Sequence, residues 1–171
     1  MNFSTLLENT HSKTTTTLIV DEIEANPSKL DELMQLMLGK DSLLAQRAAW
    51  PFSFVAEKKP LLFKNYIPQL IQKLEDKDDH PAIKRNILRA FQYFNFSSEH
   101  EGKLLNISFN LLNDVEQPIA IKAFAMTVIY NLSKKYPEIK NELKLSIENL
   151  LPHGSAGIKS RGNKIVKQLN K

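Results

Sequence analysis

The stretch PAIKRNILRAFQYFN at residues 81–95 contains the pair Ile83-Lys84, which recurs as Ile121-Lys122 and as Ile158-Lys159. The recurrences lie 38 and 37 residues apart, and a further step of 38 residues toward the N-terminus reaches Ala45-Gln46. A period of this length is typical of proteins built from stacked helical hairpins. The hairpins stack because no single repeat can bury its apolar face alone.

Each repeat divides into two apolar stripes with helical spacing. Ile83, Ile87 and Ala90 share one face of a first helix, and residues 104–112 supply a second stripe. Such stripes predict nine helices and no strand, in an all-α superhelix of about four helical hairpins plus a terminal helix. We expect a single domain, residues 1–171. Its repeat units are predicted at 14–40, 41–78, 79–116 and 117–154, and the terminal helix at 155–170.

Two local signals refine this prediction. Pro51 falls inside an apolar helical pattern that resumes at Phe54, so we expect a kinked helix rather than a helix end. Ser97 and Ser98, followed by Glu101, have the pattern of a capping box at the start of a helix.

The composition excludes several classes of function. The 171 residues include 23 Lys+Arg, 19 Asp+Glu, 5 Gly and no Cys, for a net charge of +4. Without cysteine there is no disulfide framework, no thiolate nucleophile and no Cys-type zinc site. No secretory signal is visible, and no apolar run approaches the roughly 20 residues of a membrane span. We therefore expect a cytoplasmic protein that has no membrane partner.

The units 41–78, 79–116 and 117–154 resemble HEAT-type repeats through the opening Asp41 and the Arg47-Ala48-Ala49 block. A closer similarity is to a group of short bacterial HEAT-like proteins. The shared blocks are QRAAW at 46–50, AIKAF at 120–124, PEIK at 137–140 and a basic last helix. This resemblance implies a HEAT/armadillo-like solenoid.

Proteins of that bacterial group often carry a transferred adenylosuccinate lyase name. The lyases themselves are longer helical enzymes with a mobile signature loop and with catalytic His and Ser residues. In this chain the segment Ser97–His100 lacks the Met-Pro-Lys-Asn continuation of that loop. We therefore expect no enzymatic activity, no catalytic residue and no cofactor. A lyase-type enzyme is kept as the third functional hypothesis.

Residues that could bind a metal or contact a nucleobase are isolated from one another along the chain. The four histidines, His11, His80, His100 and His153, are expected in solvated turns between helices and predict no metal site. Trp50 could stack on a nucleobase, as aromatic residues do in HEAT-like alkylpurine DNA glycosylases. Leu88 and Met126 occupy the equivalent repeat positions, so we expect Trp50 in the core.

Basic residues give the strongest signal for binding. Residues 1–153 carry a net charge of −1, whereas residues 154–171 carry +5. Lys84, Lys122 and Lys159 hold equivalent positions and would form a ladder along the stacked repeats. The terminal helix adds three more candidate binding residues, Arg161, Lys164 and Lys167. These cations could contact an anionic partner, or they could form the polar cap that a terminal repeat needs.

The leading hypothesis is a non-catalytic scaffold that binds a protein partner, because a stack of helices offers an extended surface without a catalytic constellation. The alternative is a nucleic-acid-binding protein, similar to the DNA glycosylases, that uses the Lys/Arg ladder. Fold class alone does not decide between these hypotheses.

Overall fold

The computed structural model describes residues 1–170, which form ten α-helices, three short 3₁₀ segments and no strand. The all-α class predicted from the repeat is confirmed. The helices are α1 (Phe3–Asn9), α2 (Lys13–Ala25), α3 (Leu30–Leu38), α4 (Ser42–Lys58), α5 (Ile67–Glu75), α6 (Pro81–Phe91), α7 (Ser98–Asn113), α8 (Ile119–Ser133), α9 (Lys140–Leu150) and α10 (Ala156–Leu169). The 3₁₀ segments are Pro27–Lys29, Pro60–Tyr66 and Pro137–Ile139.

The predicted number of nine helices is wrong by one, because α1 was missed. This helix has seven residues, and only Phe3 and Leu7 are buried, which is too few positions to show a helical period. Tertiary contacts hold it in place. The Phe3 amide donates to Glu32 Oε1 of α3 at 2.6 Å, and Arg47 Nη1 of α4 donates to the carbonyl of Leu7 at 2.6 Å.

The chain divides into two compact units, Met1–Phe94 and Asn95–Lys171. Unit 1 contains α1–α6, and its central helix is α4, which contacts α1, α2, α3 and α6. Unit 2 contains α7–α10, and its central helix is α8, which contacts α7, α9 and α10. The sequence of α8 is apolar on nearly all sides because other helices cover it. The boundary at residue 94 separates the two helices of the predicted repeat 79–116.

Helix α4 does not end at Pro51, and this part of the prediction is confirmed; the predicted kink stays a prediction. The helix runs unbroken from Ser42 to Lys58, and Pro51 and Phe52 are buried. Proline lacks the N–H that would bond to the carbonyl four residues earlier. Two residues after Pro51, the Ser53 hydroxyl donates to the Trp50 carbonyl at 2.8 Å. Burial of this segment against α6 and the neighbouring helices outweighs the cost of the internal proline.

Four phenylalanines fill the part of unit 1 between α4 and α6. The ring centroid of Phe63 lies 5.2 Å from that of Phe52 and 5.7 Å from that of Phe94, and the Phe91 and Phe94 centroids are 5.4 Å apart. Phe63 comes from the 3₁₀ segment Pro60–Tyr66. That segment is anchored by the Tyr66 hydroxyl, which donates to the Asp31 carboxylate. Burial and this carboxylate raise the pKa of Tyr66 to about 12.

The predicted capping box at the start of α7 is wrong. Ser97 is the N-cap residue, but its side chain makes no capping hydrogen bond. Glu101 instead accepts hydrogen bonds from Lys135 Nζ at 2.6 Å and from the Tyr136 hydroxyl at 2.5 Å. The carboxylate thereby ties the first turns of α7 to the segment that follows α8. Burial alone raises the pKa of Glu101, but these hydrogen bonds and the Lys135 charge outweigh it and hold the pKa below 4.5.

The lowered pKa of Glu101 makes the stability of unit 2 depend on pH. The Glu101→Gln variant is expected to lose about 1.5 kcal/mol at neutral pH, at the low end for hydrogen bonds to charged groups because Lys135 is half exposed. The carboxylate stabilises the fold above its unfolded pKa, and this contribution is lost as the pH falls through the folded pKa. Thermal melts should therefore differ at pH 7 and converge in acid.

The matched control for this prediction is Glu99→Gln, because Glu99 is an exposed acid in the same turn of α7. Its melting temperature should follow that of the wild type at every pH. A Glu101→Gln difference that persisted unchanged in acid would show that packing, and not the charge of Glu101, carries the effect.

Candidate interaction surface

Helices α4 and α6 of unit 1, together with the residue that precedes Ser12 at the start of α2, present a surface that combines aromatic and cationic side chains. We call it the aromatic–arginine face and define it by His11, Arg47, Trp50, Phe54, Arg85 and Arg89. The ring centroids of His11 and Trp50 are 5.2 Å apart, and those of Trp50 and Phe54 are 6.5 Å apart. Trp50 and Phe54 lie together because residues four apart share one face of a helix. Both rings are half-buried.

Arg89 of α6 extends this row of rings. Its guanidinium carbon lies 4.3 Å from the centroid of the Phe54 ring, within the range of a cation–π contact. The same group donates to Ser53 Oγ at 3.1 Å and to Glu57 Oε2 at 2.9 Å. Arg89 is thus a fixed part of the surface, and part of its charge is balanced by Glu57.

Two further arginines make one end of the face positive. Arg47 Nη1 donates to the carbonyls of Leu7 and Glu8 at the C-terminal end of α1, which leaves its charge without a carboxylate partner among these contacts. Arg85 is exposed. Partial burial of the ring lowers the pKa of His11 below 6.5, and the charges of Arg47 and Arg85 lower it further. The two side-chain charges that act on the imidazole are thus both positive.

A cavity of about 110 Å³ opens beside Phe54, between α2 and α4. Its lining is partly apolar and partly charged, and consists of Lys13, Thr16, Thr17, Val20, Asp21, Phe54 and Lys58. Lys58 at its rim is paired with Glu24 at 2.6 Å. Pockets that hold cofactors or drug-sized ligands are larger, roughly 300–1,000 Å³. The cavity therefore has room for one side chain of a partner.

Unit 2 contains a related arrangement. Arg161 of α10 donates to the Thr127 hydroxyl of α8 at 2.6 Å, and its guanidinium carbon lies 5.9 Å from the Phe124 ring centroid. In unit 1, Arg89 makes the same pair of contacts with a hydroxyl and a ring of α4. In each unit, an arginine therefore contacts the helix that lies two helices earlier in the chain: Arg89 of α6 contacts α4, and Arg161 of α10 contacts α8.

The structure distributes the six predicted binding residues unevenly. Lys84 and Lys122 are each only 8% exposed, so their aliphatic stems pack against neighbours. Lys159, Lys164 and Lys167 are exposed on α10, whereas Arg161 is half-buried against α8. The ladder as a binding site stays a prediction, but only the α10 lysines combine positive charge with free access to solvent.

The expectation that Trp50 is a core residue is wrong. Leu88 and Met126, its equivalents in the repeat, are fully buried, but Trp50 is half-buried and contacts His11. The repeat register predicts the backbone position correctly. It does not include the non-repeating N-terminal segment, and that segment provides the ring against which Trp50 packs.

The histidines lie mostly where the sequence predicted. His11 and His153 are exposed outside the helices, and His80 is the N-cap of α6, where its Nδ1 accepts from the Ala82 amide at 3.1 Å. His100 differs because it lies inside α7 and is half-buried. Across residues 1–170, no three His, Asp or Glu side chains are grouped as metal ligands. None of the helices described is long and apolar enough to cross a membrane.

The sequence did not lead to the prediction that the residues of the aromatic–arginine face lie close together. Two signals were available. Arg47 and Arg85 lie 38 residues apart and therefore hold equivalent repeat positions. Trp50 and Phe54, like Arg85 and Arg89, are four residues apart on their helices. Nothing in the sequence indicated that His11 belongs to this face, because its position depends on how the segment before α2 packs against α4.

Comparisons with known proteins identify the family. Neither the curated proteins nor the solved structures give a significant match to the chain. A family model described as a HEAT repeat domain matches residues 3–169, which is nearly the whole length. The match agrees with the 38-residue period, with the all-α structure and with the predicted α-α superhelix class. The chain therefore belongs to the HEAT repeat family, whose members are generally non-catalytic helical scaffolds.

Proposed function

We propose that this protein is a non-catalytic interaction module that binds a protein partner through the aromatic–arginine face of unit 1. The observation that carries the proposal is the half-buried row of Trp50, Phe54 and Arg89, held by cation–π and hydrogen-bond contacts. Trp, Tyr and Arg dominate the binding energy of protein interfaces. Rigid aromatic side chains also lose little conformational entropy when a partner docks.

The rigidity of the face supports this function. Arg47 and Arg89 are both held by hydrogen bonds to their own unit, so the surface is organised before a partner arrives. A preorganised surface spends less free energy on ordering its side chains. We further propose that the interaction takes place in the cytoplasm.

Site-specific photocrosslinking in cells tests the proposal. A photoreactive amino acid at position 50 or at position 85 is expected to capture the same protein. Placed at exposed Gln72 on α5, it should not capture that protein. In a binding assay with the purified partner, Trp50→Ala should weaken affinity about 30-fold, which corresponds to the roughly 2 kcal/mol of an interface hot spot. Equal capture at all three positions would contradict the proposed face.

A second candidate function is nucleic-acid binding, and the exposed lysines of α10 are the observation that favours it. Lys159, Lys164 and Lys167 could neutralise phosphates, and binding of that kind weakens steeply as salt rises. Gel shifts with random-sequence DNA should then disappear in the double variant Lys164→Glu, Lys167→Glu while its melting curve stays unchanged. Absence of any shift at low salt would exclude this candidate.

A further inference from the structure

We infer that the aromatic–arginine face recognises an acidic peptide segment, with one aliphatic side chain of that segment seated in the cavity between α2 and α4. This inference rests on the proposed function and specifies the chemistry of the partner. Three features of unit 1 support it: the size and lining of the cavity, the cations without an ion-pair partner at the cavity and on α6, and the separation of those cations by aromatic rings and carboxylates.

The cavity selects for a single apolar group. Phe54 and Val20 give it an apolar wall, and its volume of about 110 Å³ is too small for a cofactor. Phe54 belongs both to this wall and to the row of rings that contains Trp50. A side chain seated in the cavity would therefore place the rest of its peptide across the aromatic–arginine face.

The cations of this surface that lack an ion-pair partner favour carboxylates in the partner. Unit 1 as a whole has twelve basic and twelve acidic residues, so its net charge is zero. On this surface, Lys58 is paired with Glu24 and Arg89 with Glu57. Within residues 1–170, Lys13 at the cavity and Arg85 on α6 have no ion-pair partner. Partial burial and then the charges of Arg47 and Arg85 lower the pKa of His11, so both arginines lie near this ring.

The spacing of the charges favours a peptide over a nucleic acid. Asp21 lines the cavity, and Glu57 lies beside Arg89, so carboxylates separate the cations. A nucleic-acid strand carries a phosphate about every 3.4 Å and would place several of them near these carboxylates. A peptide can carry acidic residues opposite Lys13 and Arg85 and an aliphatic residue between them.

Selection from a random peptide library displayed on phage tests this inference with the full-length protein as bait. We expect the enriched peptides to contain Asp or Glu on both sides of one Leu, Ile, Val or Met. A labelled copy of an enriched peptide should bind Arg85→Glu about tenfold more weakly than the wild type. The matched control is Lys77→Glu, an equal charge reversal at an exposed residue between α5 and α6, which should leave affinity unchanged.

A separate experiment tests whether an aliphatic side chain of the peptide occupies the cavity. Thr17 is exposed and lines the cavity, so Thr17→Leu should fill part of it without disturbing α2. This variant is expected to weaken binding of the enriched peptide. It should not affect a copy in which the aliphatic residue is replaced with Ser. Equal weakening of both peptides would show that the aliphatic residue does not occupy the cavity.

Several outcomes would overturn the inference. Enriched peptides without acidic residues would contradict it, as would equal losses of affinity for Arg85→Glu and Lys77→Glu. Tighter binding of single-stranded oligothymidylate than of any enriched peptide, lost in Arg85→Glu, would assign the face to nucleic acid instead. If crosslinking at positions 50 and 85 still captured one protein, the proposed function would survive the failure of the acidic-peptide inference.

Discussion

The Ile121→Asp variant is expected to unfold unit 2. Ile121 is fully buried in α8, the helix that contacts α7, α9 and α10. An aspartate at this position would be a charge without a partner in the apolar interior, and such substitutions cost at least about 4 kcal/mol. That cost is comparable to the roughly 5–15 kcal/mol that stabilises a typical domain. Hydrogen exchange followed by mass spectrometry should show that the amides of α7–α10 lose their protection.

The matched control is Ile119→Asp, two residues earlier in the same helix. Ile119 is 52% exposed and lies at the first residue of α8, where a carboxylate interacts favourably with the helix dipole. This variant should keep its amide protection and melt close to the wild type. Preserved cooperative melting of Ile121→Asp would refute the repeat register, because that register places residue 121 between helices.

The Phe63→Ala variant should destabilise unit 1 by about 3–5 kcal/mol, the range for removing a buried phenylalanine from a core. The ring of Phe63 lies between those of Phe52 and Phe94, and no part of its surface is exposed. Its loss leaves a cavity that the surrounding rings close only partly. Chemical denaturation monitored by circular dichroism measures the loss as a lower midpoint with an unchanged slope.

Leu61→Ala is the control for this experiment, because Leu61 belongs to the same 3₁₀ segment but is 84% exposed. Its stability should stay within about 0.5 kcal/mol of the wild type, as is usual for surface substitutions. A loss as large as that of Phe63→Ala would mean that the backbone of Pro60–Tyr66, and not the ring of Phe63, determines stability there.

The contrast between Ile121 and Phe63 shows what the repeat could and could not predict. Ile121 has equivalents at positions 83 and 158, and all three are buried as the register predicts. Phe63 lies in a short 3₁₀ segment that has no helical period, so the pattern gave no sign of its burial. It is buried because residues 60–66 pack against α4 and α5, with the Phe63 ring stacked on Phe94 and Tyr66 bound to Asp31.

The candidate site likewise has features that the repeat predicted and features that it could not predict. The period placed Lys84 and Lys122 in equivalent positions, but it could not tell that neighbouring side chains leave each of them only 8% exposed. It also placed Trp50 with the buried Leu88 and Met126. The side chain of Trp50 instead meets His11, which belongs to no repeat.

By itself, the sequence determined the all-α class, the 38-residue period, the continuation of α4 through Pro51 and the apolar faces of most helices. These features follow from local spacing, because a helix brings residues three and four apart onto one face. Only the tertiary structure decided the existence of α1, the carboxylate contacts of Glu101 and the assembly of the aromatic–arginine face. These depend on which side chains meet across distant segments, and the spacing of residues within one helix carries no information about such contacts.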